Sequence, residues 1–292
     1  MSRNYFSSYL KIILELGKVR ISLPVAFSAL TGYALKTGTI GTEGMLLGLG
    51  VFLMSCSSGA INHVQEHKTD RYMPRTRNRP IPSGKISPAA GALIASVYFI
   101  LGAFVLIRYF QPAALTASVL TLLSYNAFYT PLKKITAFAV VPGSLVGALP
   151  PYIGWLAADG GLFDNSIFLV AVFFFIGQIP HFWLLLLMFG KEYRLAGYPS
   201  LNDIFSENQI MRLSYTWILS TVASALIIAL KVMSVRLVIF LLIVYVFYLL
   251  FFTTRQILSK EELKVRATFF KLNFLYLFMM IALIADSLLR LP

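Results

Sequence analysis

Residues 62–85 read NHVQEHKTDRYMPRTRNRPIPSGK and separate two apolar runs, 44–61 and 88–107. The stretch holds two acids, Glu66 and Asp70, and six bases, Lys68, Arg71, Arg75, Arg77, Arg79 and Lys85. Asn62, Glu66 and Asp70 stand four apart, and on a helix side chains at that spacing share one face. Their donor atoms can all be oxygens, which are hard ligands suited to Mg²⁺ or Ca²⁺ and poor for zinc or copper. Pro74 cannot continue such a helix without losing a backbone bond. Arg75, Arg77 and Arg79 follow in a segment that reads as extended and Pro/Gly-rich. Oxygen ligands followed closely by arginine forks suit a metal-bridged phosphate or diphosphate. The alternative for the same charges is a solvated cytoplasmic loop that fixes membrane topology.

The chain has 292 residues, 58% of them hydrophobic and only 13% charged. Its mean hydropathy of +0.76 is too apolar for a soluble protein and fits an all-α, polytopic membrane protein. A net charge of +13 then belongs to cytoplasmic loops and anionic lipid rather than nucleic acid, for which no loop is long enough to form a groove. Cys56 is the only cysteine, so no intrachain disulfide forms. The first apolar run lacks a small-residue cleavage site after it and reads as a retained helix.

Residues 5–20 mix apolar residues with Lys11, Glu15, Lys18 and Arg20, as an interfacial amphipathic helix does. Nine spans are expected, at 21–36, 44–61, 88–107, 113–130, 137–157, 166–189, 211–230, 235–253 and 269–288. With the N-terminus in the cytoplasm, twenty of the 25 Lys and Arg fall on the cytoplasmic side, Lys260 among them. A wrong span count would scramble that asymmetry. The long loops at 62–87 and 190–210 lie on that side after the second and sixth spans, which hints at a duplicated four-helix unit. Ser87-Pro88 reads as an N-cap and first helical proline. The fifth span contains Pro142, Pro150 and Pro151 with Gly143, Gly147 and Gly154, and must be kinked. Ser55, Ser57, Ser58, Gly59 and Ala60 form a small packing surface ahead of the ligand face.

His181, beside Pro180 and inside the sixth span, is either a structural histidine or a functional one facing the interior. Lys191, Glu192, Tyr193 and Arg194 at the cytoplasmic edge read as a snorkelling belt, or as a set in which Glu192 completes a metal site begun by Asp70. Two functions remain: an intramembrane transferase acting on a lipid-like diphosphate, and an organic-anion transporter. An anion path gains nothing from acids gathered at its mouth, whereas a metal–diphosphate site requires them.

The run Asn62-x3-Glu66-x3-Asp70-x2-Met73-x-Arg75-Thr76-x2-Arg79-Pro80 resembles the signature of protoheme IX farnesyltransferases (heme O synthases) of the UbiA prenyltransferase superfamily. Two further blocks are similar to the same family. One is Tyr129-Thr130-x-Leu132-Lys133 running to Gly147-Ala148-x-Pro150-Pro151-x2-Gly154-Trp155. The other is Pro180-His181-Phe182 running to Tyr193-x2-Ala196-Gly197-x-Pro199. The departures are Glu66 where Asp is usual, Lys68 where another Asp is frequent, Lys191-Glu192 in place of an acidic pair, Ser200 for Met and Ala139 for Asn.

The resemblance implies a single membrane domain over 1–292, a nine-helix bundle around a cavity with the acids at its cytoplasmic end. It implies Mg²⁺ held by Asn62, Glu66, Asp70 and Glu192, and farnesyl diphosphate whose departure is stabilised by Arg75, Arg79 and Lys133 together with Asp70. Heme B is the implied acceptor, with His181 as iron ligand or propionate partner and His63 and His67 as lesser candidates that point off the ligand face. Lys68, Lys134, Tyr193 and Arg194 are further substrate-binding candidates. It also implies the inner (cytoplasmic) membrane, contact with membrane lipid, no nucleic acid, and a downstream heme A synthase as a candidate partner. A quinone precursor or other aromatic ring is the alternative acceptor.

Overall fold

The structure is a computed structural model describing residues 2–258 and 264–290; Lys260 lies outside them. Among the described residues the chain is all helix and loop. Helix α1 (Ser2–Leu16) precedes α2 (Val19–Thr37), α3 (Gly41–Asp70), α4 (Pro88–Tyr109) and α5 (Pro112–Leu123). A π-helical turn, Ser124–Tyr129, joins α5 to the single turn α6 (Thr130–Leu132). A 3₁₀ turn (Ala137–Ala139), α7 (Val140–Gly143) and α8 (Leu145–Ala157) follow. The chain then runs through α9 (Asn165–Leu195), a 3₁₀ turn (Leu201–Asp203), α10 (Glu207–Lys231), α11 (Arg236–Leu258) and α12 (Val265–Leu289).

Seven segments are long and apolar enough to cross a membrane: α3, α4, Ala137–Ala157, α9, α10, α11 and α12. Two further segments stand where the remaining expected spans lie. One is α2, which carries Arg20, Pro24 and Lys36; the other is the α5–π–α6 run, which the π turn interrupts. Outward faces of α4 and α11 expose Leu93, Ile100, Phe104, Ile107, Phe240, Phe247 and Phe251. Apolar surface of that extent suits lipid rather than water, and the protein is integral to a membrane.

The helices gather into two apolar clusters. One is built from α2, α3, α4, α5 and α8 around Ala29, Leu47, Val51, Leu106 and Ile153. The other is built mainly from α9 to α12 around Phe173, Ile218, Leu242, Leu275 and Met279. Helices α2, α8, α9 and α12 join them. The α2–α8 seam is as close as backbones allow. A Cβ on Gly154 would stand 1.8 Å from the Ala29 carbonyl oxygen, and one on Gly32 1.9 Å from that of Pro151. The kinked fifth span resolves into the 3₁₀ turn, α7 and α8, with Pro142 in α7 and Pro150 and Pro151 inside α8.

Helix α3 runs on past the apolar stretch to Asp70, so the ligand face is helical as expected. The segment after it is not extended. It folds into successive turns, with Tyr72 N–H bonded to Thr69 O (3.1 Å), Thr76 and Arg77 N–H to Met73 O (3.0 and 2.9 Å) and Ser83 N–H to Arg79 O (3.0 Å). Buried Met73, Thr76, Pro80 and Ile81 pin these turns, and an extended path would leave those side chains and backbone groups without partners. Ser87 caps α4 as expected, accepting from Ala90 N–H at 3.1 Å.

Candidate active site

The last two turns of α3 present Asn62, Glu66 and Asp70 on one face, each no more than 4% exposed. Each is bonded to a base from a different element. Lys18 Nζ, in the turn between α1 and α2, donates to Asn62 Oδ1 at 2.5 Å. Lys133, just after α6, places Nζ 2.5 Å from Glu66 Oε1. Arg79, in the turns after α3, donates from Nη1 to Asp70 Oδ2 at 2.8 Å. Two carboxylates and an amide therefore face three cations.

Neighbouring groups fix this arrangement. Tyr198 donates its hydroxyl to Glu66 Oε1 at 3.1 Å and lies 2.8 Å from Thr69 Oγ1. Asn62 Nδ2 donates to Thr130 Oγ1 (3.2 Å), which in turn donates to Tyr125 O (2.9 Å). Thr76 Oγ1 donates to Asp70 O at 2.9 Å, closing the end of α3. The π turn holds its own contacts with α3: Ser58 Oγ donates to Asn126 Oδ1 (2.6 Å) and Gln65 Nε2 to Asn126 O (2.9 Å). The ammonium of Lys133 lies 5.8 Å from the Tyr129 ring and 5.4 Å from that of Tyr198. Tyr129, Lys133, Phe182 and Tyr193 line a cavity of about 30 Å³, room for one water. Desolvation, reinforced by the charges of Arg79 and Lys133, pushes the Lys18 ammonium down to about 7. Burial, with the negative charge of Glu66, pushes the Tyr198 hydroxyl up.

The other expected site residues are distributed as follows. Glu192 Oε2 accepts from the Arg75 backbone N–H at 3.3 Å, and the Arg75 guanidinium lies 5.1 Å from the Phe189 ring. The two long loops thus meet at one end of the bundle. Among the described residues, no three His, Cys, Asp or Glu side chains gather as a metal cluster, so Glu192 does not join Glu66 and Asp70. Arg194 pairs with Asp203 Oδ1 at 2.6 Å and Asn202 O at 2.7 Å, away from the ligand face. Lys68 and Lys134 are exposed. Tyr193 lies beside Lys133 in the cavity wall, its ring 5.8 Å from that of Tyr198. His181 faces α12, with its ring 4.9 Å from that of Phe269 and 6.4 Å from that of Tyr276. Its Nδ1 is buried without a partner. His63 is buried, and His67 Nδ1 contacts Val64 O at 2.7 Å.

Residues 25–278 match the model of the UbiA prenyltransferase family. The chain belongs to that family. Among curated relatives it is 38% identical, over 193 residues, to the protoheme IX farnesyltransferase of Oleidesulfovibrio alaskensis, covering 65% of this chain and 67% of the relative. It is equally 38% identical over 186 residues to the protoheme IX farnesyltransferase of Geobacter sulfurreducens (64% and 68% covered). Its fold is similar to a UbiA homologue from Archaeoglobus fulgidus bound to DMAPP and Mg²⁺, at a TM-score of 0.70 and 14% identity over 95% of this chain and 99% of that one. The same homologue bound to GPP and Mg²⁺ gives 0.71 and 15% over 94% and 99%. At those identities the likeness is one of fold.

Within this UbiA chain, two site residues were not legible in advance. Lys18 reads as one charge in an interfacial belt; the cue was Gly17, which allows the turn to approach the small surface of α3. Tyr198 occupies the unspecified position of the Ala196-Gly197-x-Pro199 block.

Proposed function

We propose that this protein transfers the farnesyl group of farnesyl diphosphate to a vinyl group of protoheme IX (heme B), giving heme O, in the inner membrane with its N-terminus and ligand face cytoplasmic. The observation that carries the reading is the buried oxygen face of α3 with a base on each ligand, in a chain whose curated relatives are protoheme IX farnesyltransferases.

The donor set fits a hard divalent cation. Asn62, Glu66 and Asp70 offer oxygen, and Asp70 Oδ1 is buried with no partner of its own. These three would hold Mg²⁺, while Glu192 stays on the Arg75 backbone N–H. When bound, Mg²⁺ neutralises diphosphate charge and so eases departure of the leaving group. Lys133 and Arg79, partly buried beside the face, donate to diphosphate oxygens as the C1–O bond breaks and its electron pair leaves with the diphosphate. Arg75 adds a third donor from the loop. Tyr129, Phe182 and Tyr193, which leave room for no more than one water, would present aromatic faces to the allylic cation. The vinyl π electrons then form the C–C bond to C1. The cation left beside the porphyrin takes hydroxide from water, whose proton is released, completing the hydroxyethylfarnesyl group.

In this reading the acceptor would lie on the α9–α12 side. There His181 Nδ1 is free for the iron or a propionate. Two turns along the same helix face, Met188 borders a groove of about 610 Å³ with Lys264, Arg266 and Phe270. The two bases suit the propionates.

The test is chemical. Purified protein in detergent is incubated with heme B, farnesyl diphosphate and Mg²⁺, and extracted hemes are resolved by mass. A product heavier by a farnesyl group and a hydroxyl, lost on chelation, is expected. Absence of product from folded protein contradicts the reading.

A further inference from the structure

Among the described residues, Lys18 is the one base at the ligand face supplied from before α2. Its backbone is left-handed, with φ 46° and ψ 46°, a conformation that costs an ordinary side chain and persists only where the surroundings impose it. The surroundings are visible. Ser22 Oγ donates to Gly17 O at 2.9 Å, and Lys18 O accepts from Ile21 and Ser22 N–H. A Cβ on Gly59 would lie 3.3 Å from Gly17 O and from Lys18 Cγ, and one on Gly17 3.1 Å from Cys56. The small surface of α3 thus receives the turn at close range. The result turns the lysine inward, its ammonium on Asn62 Oδ1 and 5.9 Å from the Tyr125 ring. A charge that served only topology or lipid contact would extend toward the headgroups instead.

We propose that Lys18 is a further diphosphate-binding residue, whose ammonium exchanges Asn62 for a diphosphate oxygen when the prenyl diphosphate and its cation bind. This rests on the proposed use of Asn62, Glu66 and Asp70 as ligands. The charges support it. With Lys18 protonated, it, Lys133 and Arg79 stand against Glu66 and Asp70 and leave the face one positive charge in excess. One Mg²⁺ adds two, and a prenyl diphosphate of about −3 neutralises the whole. Without Lys18 the balance falls one charge short. The lysine also cannot keep its present bond once Asn62 Oδ1 is given to a cation, and a like-charged ammonium at that distance from the metal requires an anion between them.

The experiment is equilibrium binding of farnesyl thiodiphosphate, a slow-reacting analogue, to detergent-solubilised full-length protein with Mg²⁺ and without heme. Wild type binds saturably and loses binding on chelation. Lys18→Met keeps the length and removes the charge, and is expected to weaken binding about ten- to a hundredfold, the range for one charge-assisted hydrogen bond. Lys18→Arg restores most of it. Lys18→Asn, which accepts the left-handed backbone readily, is the second variant should Lys18→Met not fold, and is expected to bind as weakly. Wild-type affinity in either folded uncharged variant overturns the proposal, as does loss of the fold in both, which would assign Lys18 to holding the turn. If wild type itself shows no chelator-sensitive binding, the reading of the ligand face fails, and this inference fails with it.

Discussion

Glu66 is the residue on which the site's contacts converge. It accepts from Tyr198, pairs with Lys133 and stands one turn from both Asn62 and Asp70. Its extra methylene relative to aspartate brings the carboxylate to the Tyr198 hydroxyl. Tyr198→Phe removes one hydrogen bond to a charged group, and is expected to raise the Mg²⁺ concentration for half-maximal rate about tenfold with the protein still folded. In a Glu66→Asp background, where the shorter carboxylate withdraws from Tyr198, the same change should have little further effect. A double-mutant cycle on Mg²⁺ dependence measures that coupling. His181→Ala is expected to raise KM for heme severalfold while leaving farnesyl thiodiphosphate affinity at the wild-type value. Unchanged heme kinetics would make His181 a packing residue against Phe269. Lys18 and Tyr198 stayed hidden at this scale because their partners are 44 and 132 residues away in sequence. Spacing arguments reach only one turn or one strand along the chain. Asn62, Glu66 and Asp70 were legible because their spacing is local to one helix.

At the scale of elements, the apolar runs were readable because each had to fill a bilayer with helix, and α3 was readable through to Asp70 because its polar face kept the helical period. The break in the fifth span was readable too, from Pro142, Pro150 and Pro151, but the one in the fourth was not. The π turn at Ser124–Tyr129 contains no proline or glycine, and nothing local marks it. It forms where Asn126 bonds Ser58 and Gln65 of α3, a tertiary cause. The turns at 71–87 look extended in sequence because Pro and Gly mark both kinds of structure. The α2–α8 seam gives a direct test of packing. Gly154→Ala sets a methyl against the Ala29 carbonyl, backbone against backbone, and is expected to cost at least about 2 kcal/mol and several degrees in Tm. Gly161→Ala, which meets nothing within 4 Å, is the neutral comparison in the same thermal-unfolding series.

For the whole molecule, the proposed orientation rests on charge: bases crowd the end of the bundle where the ligand face lies, and the 158–165 loop at the other end has acids and no base. Cys56 is fully buried, so the wild-type chain gives a quiet background for thiol labelling. A cysteine at exposed Ser83 is expected to react with a membrane-impermeant maleimide only from the cytoplasmic side, and one at Phe163, which is 96% exposed, only from the opposite side. The reverse pattern would invert the topology and separate the site from cytoplasmic farnesyl diphosphate. The central claim is that the oxygen face of α3 is where the prenyl diphosphate ionises. The most direct measurement is single-turnover release of diphosphate, in the presence of heme B, by wild type and Asp70→Asn. Asp70→Asn is nearly isosteric with aspartate and leaves an amide to face Arg79. Wild type should release diphosphate only with Mg²⁺, and Asp70→Asn, folded in detergent, should be slower by at least about a hundredfold. Equal rates in the two proteins, or release that persists under chelation, would contradict the account.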